Sequence, residues 1–321
     1  ISFVDSLYNK IPMANSYESI ARMTWRELFA DTLLQECIEL GLNNNTNLEI
    51  ARLKVEQAEA TLQTSKLAFF PNVSFSAQVN TSGAYSLAPN ASWEIDAFGR
   101  LYNTKKGSEA ALAATEAFQQ AVQTQLIATI ANSYYTLLML DEQLEISKRT
   151  LNTWEENIRT LSALKRAGKT NEAAVLQAKA NKVNVEASIL TLKKQIIEQE
   201  NSLAALLGLV PQEFERNELS QQVFPDTLLM GLPLSSLVNR PDVRQAEYKL
   251  VEAFYATNVA RSYFYPSITL SGSGGWAGIS GNPGDWIYNA VAGLVQPIFN
   301  QGKNKARVKI SEAQRQEALL N

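Results

Sequence analysis

Hydrophobic positions along the chain follow two different periods. From Ser108 to Ala167 there is no glycine and no proline, and apolar residues recur at three- and four-residue steps: Leu112, Phe118, Val122, Leu126, Ile130, Tyr134, Leu137, Leu140, Leu144. Alanines lie between them, a pattern suited to close helix packing along a seam. About 60 residues at about 1.5 Å each make a helix roughly 90 Å long, against an ordinary mean of about 11–12 residues. Lys165, Arg166 and Gly168 end it, with cations in the last turn and then a glycine able to take φ > 0. A second helix, Asn171 to Leu207, stops at Gly208 and Pro211 by the same logic. Residues 108–207 therefore predict one helical hairpin, its tip at Ala167–Thr170. An earlier helix, Asn47 to Ala68, stops before Pro71. Two shorter helices stacked end to end could then flank the long one.

Between the helices the period falls to two. Val73, Phe75, Ala77 and Val79 alternate with Ser74, Ser76, Gln78 and Asn80. After a turn-like Thr81-Ser82-Gly83, Ala91, Trp93, Ile95 and Ala97 alternate with Ser92, Glu94 and Asp96. Two strands with one apolar and one polar face are expected. A half-buried sheet in a water-soluble protein gives the same alternation and is the commoner source of it. A membrane barrel, with Glu94 and Asp96 toward a wet interior and Trp93 outward, gives it too.

The unit recurs. Phe69-Phe70-Pro71-Asn72-Val73 falls on Phe264-Tyr265-Pro266-Ser267-Ile268. Ala51, Lys54, Val55 and Ala58 fall on Ala246, Lys249, Leu250 and Ala253, and Phe98-Gly99-Arg100 matches Phe299 and then Gly302-Lys303. Helix, strand, loop, strand, helix thus appears twice. The reading divides the chain into an N-terminal segment, 1–46; a first repeat, 47–211, with strands 72–80 and 90–97 and a hairpin at 100–208; a linker, 212–241; and a second repeat, 242–321. The last has a helix at 242–264, strands at 267–276 and 286–298, and the start of a long helix at 303–321. By comparison with the first copy, about 85 residues of the second are expected to be missing. Four strands cannot close a barrel, and lipid does not tolerate open edges. Three chains would supply twelve.

Composition narrows the chemistry. The 321 residues carry a net charge of −3, no histidine and one cysteine. Nucleic acid is a poor partner for an acidic chain with scattered cations. The commonest general base and metal ligand is absent, and no disulfide can form within the chain. Cys37, among Leu33, Leu34, Ile38 and Leu40, reads as a small buried hydrophobe. No apolar run reaches the length of a transmembrane helix, and no signal peptide is visible at Ile1. Gly272, Gly274 and Gly275 around Ser273 resemble a phosphate loop or nucleophile turn, but neither motif is complete. A bend in a strand explains them better. Catalytic, cofactor and metal sites are therefore expected to be none. Rival readings are a soluble coiled-coil adaptor or scaffold protein, and a glycan-active enzyme using Glu94 and Asp96 as paired carboxylates.

One stretch is more specific. Gly231-Leu232-Pro233-Leu234-Ser235-Ser236-Leu237-Val238-Asn239-Arg240-Pro241-Asp242-Val243-Arg244-Gln245-Ala246-Glu247 resembles the "GLPSDLLxRRPDIRxAE" signature of the TolC-like outer membrane factors of the RND-associated OprM/NodT type. Trp93-Glu94-Ile95-Asp96-Ala97-Phe98-Gly99-Arg100 resembles their "WELDLFGR", and Gln296-Pro297-Ile298-Phe299 their "QPIF". The resemblance spans nearly the whole chain. It implies a mainly α fold with β, in which long antiparallel hairpins form a periplasmic α-barrel and four strands per chain join a trimeric 12-stranded membrane β-barrel. It implies a homotrimer in the outer membrane of a Gram-negative bacterium, extending into the periplasm. Such a channel is a passive exit duct of a tripartite efflux system, with a periplasmic adaptor and an inner membrane RND-type pump as partners and outer membrane lipid around it. In that setting Leu164, Arg166 and Gly168 are the expected adaptor-docking tip. Ser74, Ser76, Gln78, Glu94 and Asp96 are expected to face the pore. Val73, Phe75, Trp93, Ile95, Ile268 and Leu270 are expected to face lipid. Ala174 stands where many relatives carry an acid at the tip. Relatives are often lipidated on an N-terminal cysteine, a position Cys37 does not occupy.

Overall fold

The computed structural model describes residues 24–222, 240–279, 281 and 283–321. The signature residues Gly231–Asn239 lie outside these, as do 1–23 of the N-terminal segment and most of the linker. The helices are α1 (Trp25–Leu28), α2 (Thr32–Asn44), α3 (Thr46–Leu67), α4 (Arg100–Arg166), α5 (Glu172–Leu207), α6 (Pro241–Ser262) and α7 (Lys303–Leu320). The strands are β1 (Asn72–Val79), β2 (Ala84–Ile95), β3 (Ser267–Ile279) and β4 (Asp285–Val295). The 67 residues of α4 make a rod of about 100 Å.

Two compact units cut across the repeats. One holds the described residues of Ile1–Ile50 and Val122–Leu237; the other holds Ala51–Ala121 and those of Val238–Asn321. In the first, Leu34 and Ile38 of α2, Ile130, Tyr134, Leu137 and Leu138 of α4, and Leu203 and Leu207 of α5 form a buried core. Of the seam read along α4, Leu126, Ile130, Tyr134, Leu137 and Leu140 are buried here, and Val122 and Leu144 pack against them half-buried. Cys37 belongs to the same core, and burial pushes its thiol up to about 11, so it stays protonated and unreactive.

The end-to-end splice is present in this unit. Asn45 accepts from the backbone N–H of Asn47 and Leu48 at 3.0 and 3.1 Å, capping α3. Its amide donates to the carbonyl of Leu206 in the last turn of α5 at 2.9 Å. One side chain thus satisfies orphan groups of both helix ends. Gly208 (φ +68°) closes α5, and a Cβ there would meet the Asn44 carbonyl at 2.9 Å.

A second polar cluster straps the segment after α5 to the helices. Asp31 caps α2 through Leu33 N–H at 3.0 Å and accepts from Tyr134 Oη–H (2.8 Å), Asn217 Nδ2 (2.9 Å) and Gln222 Nε2 (2.8 Å). Burial pushes the Asp31 carboxyl up, but its four donors together hold it below the usual range. Arg216 binds Asp141 of α4 through two bonds, one of them Nη2 to Oδ1 at 3.0 Å, and Glu200 of α5 at 2.6 Å. Arg216 and Glu200 are nearly buried. Hydrogen bonding to Asp141, and then to Glu200, raises the guanidinium above its ordinary range.

The other unit is built on a four-stranded antiparallel sheet in the order β1-β2-β3-β4. All four strand–helix junctions lie at one end of it and both strand turns at the other. The second strand begins at Ala84, not at 90, and ends at Ile95, so Ala97 and Asp96 lie beyond it. The fourth ends at Val295 rather than 298, and the third runs on to Ile279. Below the sheet, Thr257 Oγ1 of α6 donates to the carbonyl of Ser311 in α7 at 3.2 Å, and Arg261 pairs with Glu312 at 2.8 Å.

Candidate functional site

Register assigns every sheet residue to a face, because a strand's side chains alternate. Val73, Phe75, Ala77 and Val79 lie opposite Ala91, Pro89, Leu87 and Tyr85. Trp93 and Ile95 lie opposite Leu270 and Ile268, which in turn face Ala292 and Leu294. Gly272, Gly274, Trp276 and Gly278 continue this face on β3, and Ala290, Tyr288 and Trp286 continue it on β4. It holds no charged residue, amide or aliphatic hydroxyl. The six residues expected toward lipid share it. The other face carries Ser74, Ser76 and Gln78 with Ser86, Asn90, Ser92 and Glu94, then Ser267, Thr269, Ser271 and Ser273, with Ala84, Ala88, Gly275 and Ala277 among them; on β4 it mixes Asp285 and Asn289 with Ile287, Val291 and Val295.

The apolar face is exposed in the single chain: Phe75 is 69% and Val79 81% accessible. It ends in aromatic residues at both borders. Trp276, Trp286 and Tyr288 cluster at the turn end, with Trp276 and Trp286 edge-to-face at 5.4 Å. Trp93 stands at the helix end. From Tyr85 to Ile95 is about 34 Å of strand at about 3.4 Å per residue. A tilt of about 40° reduces that to a band about 26 Å tall, the height of the hydrocarbon belt on outer membrane barrels. Each outer strand, β1 and β4, pairs on one side only, and such edges are untenable in lipid.

The junction from β2 to α4 explains the Trp93–Arg100 motif residue by residue. The indole N–H of Trp93 donates to the Phe69 carbonyl at 2.8 Å. Glu94 is clasped by Arg100, with Nε to Oε1 at 2.9 Å and a second bond beside it. Asp96 accepts from the N–H groups of Leu101 (2.9 Å) and Tyr102 (2.7 Å), capping α4. Phe98 stacks on Tyr265 at 5.2 Å, and Gly99 turns at φ +73°. Asp96 is therefore not a strand residue with a free carboxylate: both of its oxygens hold the helix start.

The hairpin tip is a Schellman turn. Gly168 has φ +70°; its N–H donates to the Lys165 carbonyl and that of Lys169 to Leu164, both at 2.9 Å. Asn171 caps α5 through Ala174 N–H at 3.0 Å. Leu164, Arg166 and Gly168 are all exposed. The acid at the tip is Glu172, which pairs with Lys165 across the turn.

Comparison with known proteins decides the family. The family described as outer membrane efflux protein matches residues 37–209 and 232–321. The chain belongs to the outer membrane efflux protein family. It is 30% identical over 332 residues to the probable outer membrane lipoprotein SilC of Salmonella typhimurium, covering 97% of this chain and 70% of SilC. It is 29% identical over 331 residues to the cation efflux system protein CusC of Escherichia coli K12, covering 96% and 71%. A crystal structure of CusC superposes with a TM-score of 0.82 at 28% identity, covering 97% of this chain and 76% of that one. The open-state outer membrane channel MtrE of Neisseria gonorrhoeae also gives 0.82, at 27% identity, covering 96% and 72%. The fold is thus the TolC-like fold, whose barrel is trimeric, so that one chain shows four strands. The protein is an outer membrane channel component of an efflux system in a Gram-negative bacterium, extending into the periplasm. The scaffold alternative is set aside by the same findings. The family is one of channel and transport proteins.

Sequence reasoning missed the aromatic cluster of Tyr85, Trp276, Trp286 and Tyr288: starting the second strand at 90 leaves Tyr85 outside it, and alternation along 267–276 and 286–298 does not show that their aromatic residues meet. Aromatic side chains at the turn ends of strands were the available signal.

Proposed function

We propose that three copies of the chain join β1 to β4 edge to edge and form a passive, non-catalytic duct. Val73, Phe75, Trp93, Ile95, Ile268 and Leu270 then face hydrocarbon, and Ser74, Ser76, Gln78 and Glu94 face the lumen. The observation that carries this reading is the division of one sheet into a wholly apolar face and a hydroxyl- and amide-rich face between two unpaired edges. A wet lumen accepts the polar face at no desolvation cost, and lipid accepts the apolar one. The resemblance to efflux-system channels supports an inner membrane pump of the RND type as the source of transport energy.

The exposed tip, Leu164, Arg166 and Gly168, is the docking point for a periplasmic adaptor. Its rigid turn presents Arg166 and Lys169 beside an apolar Leu164. The resemblance to efflux channels supports export of small molecules, drugs among them.

The test is a deletion strain, with and without the gene restored. Restored resistance to at least one toxic compound is expected, lost again with Gly168→Val if the tip docks. No change in susceptibility to any compound, despite normal membrane insertion, contradicts the duct reading.

A further inference from the structure

In the unit that holds the sheet, cations stop at the sheet's edge. Residues 71–99 and 262–302, which contain both strand hairpins, include no lysine and no arginine. Cations resume within a few residues on the helix side, at Arg100 and Lys303 after the strands and at Lys66 and Arg261 before them. Neither α4 nor α7 has an acid in its first turn. The positive end of a helix opposes cations there, so they call for an anion to offset them.

Helix geometry sorts these cations into two sets, since an α-helix turns about 100° per residue. Glu94 holds Arg100 toward the polar face of the sheet, and the Arg100 guanidinium lies 5.9 Å from the Tyr263 ring. Tyr102, Lys105, Lys106 and Glu109 then fall within about 60° of the opposite direction, the side of the apolar face. Along α7, Arg307 stands over the same Tyr263 ring at 3.9 Å. That places Arg307 on Arg100's side, with Lys303 about 40° from it. Lys305 and Lys309 fall within about 20° of the direction opposite Arg307. Lys66, at the end of α3, belongs with the apolar-side set. Hydrogen bonding to Lys106 holds the Glu109 carboxyl below its usual range, and the charges of Lys105 and Lys66 add to that effect.

On the apolar side, acids are outnumbered. Glu109 serves both Lys106, at 2.7 Å, and Lys105, at 3.8 Å. Glu312, the first acid along α7, is taken by Arg261 at 2.8 Å. Lys305 and Lys309 are exposed and make no ion pair among the described residues. They lie roughly 3 and 9 Å along the axis from Lys303, and Lys105 and Lys106 roughly 8–9 Å from Arg100. The headgroup layer on each side of a hydrocarbon core is about 5–8 Å deep, and lysine stems extend the reach.

We propose that Lys66, Lys105, Lys106, Lys305 and Lys309 form a cationic collar for the phosphodiester headgroups of anionic glycerophospholipids in the periplasmic leaflet. Tyr102, 52% exposed, supplies the amphipathic ring that suits such a border. The collar rests on the lipid-facing reading of the sheet and deepens it by naming the lipid. Joining β1 to β4 brings α3 of one copy beside α7 of the next, so a headgroup held there is shared by two copies. A zwitterionic lipid carries its own ammonium beside the phosphate and gains less from the lysines.

The experiment uses the protein purified from outer membranes and reconstituted in phosphatidylcholine bilayers. Phosphatidylglycerol or phosphatidylethanolamine is added, spin-labelled on the same acyl carbon, and electron spin resonance reads the fraction of each immobilised at the protein surface. At about 0.01 M salt, phosphatidylglycerol should be favoured about fivefold or more, the weight of one lysine at an anionic surface. At about 1 M, where the Debye length is about 3 Å, the preference should shrink. Lys305→Gln together with Lys309→Gln should remove most of it. Lys303→Gln, on the same helix but the polar side, should leave it in place. Inorganic phosphate should lower it no more than chloride at equal ionic strength, because a free anion lacks the acyl anchor. Equal immobilisation of the two lipids, a preference indifferent to Lys305 and Lys309, one lost equally with Lys303→Gln, or one erased by phosphate but not by chloride overturns the inference while leaving the lipid-facing sheet intact. A trimer that immobilises neither lipid overturns the lipid-facing reading, and the inference with it.

Discussion

The indole N–H of Trp93, at the end of β2, donates to the carbonyl oxygen of Phe69 at the entrance to β1, 2.8 Å away. The bond ties the outgoing strand to the incoming chain where sheet meets helices. The second repeat has a counterpart, with Gln296 Nε2 donating to the Phe264 carbonyl at 2.9 Å. Trp93→Phe keeps the ring at the band's border and removes only the donor. It should cost about 1 kcal/mol, read as a lower dissociation temperature of the detergent-solubilised trimer. Trp93→Ala should cost more, since it also removes the aromatic border.

The helices and their Gly168 and Gly208 stops were legible in the sequence, because each depends on neighbours a few positions away; the end-to-end meeting of α3 and α5 followed from helix lengths instead, since its Asn45–Leu206 bond spans 161 positions. So were β1 and the two repeats. The start of β2 was not. Pro89 sits in a strand with neighbours on both sides, where it removes a ladder hydrogen bond. The β2–β3 pairing skips Ala88 and Pro89, and Gly275 accommodates the close approach of the strand there. Nothing local announces that compensation. Asp31 was equally opaque: its partners Tyr134, Asn217 and Gln222 lie 103, 186 and 191 positions away. Asp96 lies past the end of β2 and caps α4, and alternation alone does not distinguish a strand carboxylate from a helix cap.

The Arg216 triad separates the cost of breaking a buried ion cluster from its net worth. Arg216→Met leaves Glu200 buried and unpaired, and should destabilise by about 3–5 kcal/mol in chemical unfolding of the detergent-solubilised protein. Replacing Arg216, Asp141 and Glu200 together with apolar residues of similar volume should recover most of that loss. Equal loss in the single and triple variants would show that the strap acts through packing rather than charge.

Asp31 gives the fold an acid limit. Its folded-state pKa lies below the ordinary 3.8, so the ionised carboxylate stabilises the native state above that value. The contribution is lost as pH falls through the ordinary value toward the lower folded one. Thermal unfolding from pH 6 down to pH 2 should show this decline. In Asp31→Asn the curve should start lower and be flatter in that window, while Tyr134→Phe, which leaves three donors on the carboxylate, should lose about 1 kcal/mol.

The lipid assignment predicts opposite responses at adjacent positions. Lysine at Val73 or Phe75 should cost about 2–4 kcal/mol per site toward the middle of the band and reduce trimer yield in outer membranes. Lysine at Ser74 or Ser76, one residue away, should leave yield near normal.

Site-directed spin labelling of β1, position by position from Val73 to Gln78 in the membrane-inserted protein, tests the two-faced sheet most directly. Oxygen accessibility, which reports lipid, should peak at 73, 75 and 77. Accessibility to a water-soluble nickel chelate should peak at 74, 76 and 78. Two profiles in phase, or a strand shielded from both reagents on both faces, would contradict the account.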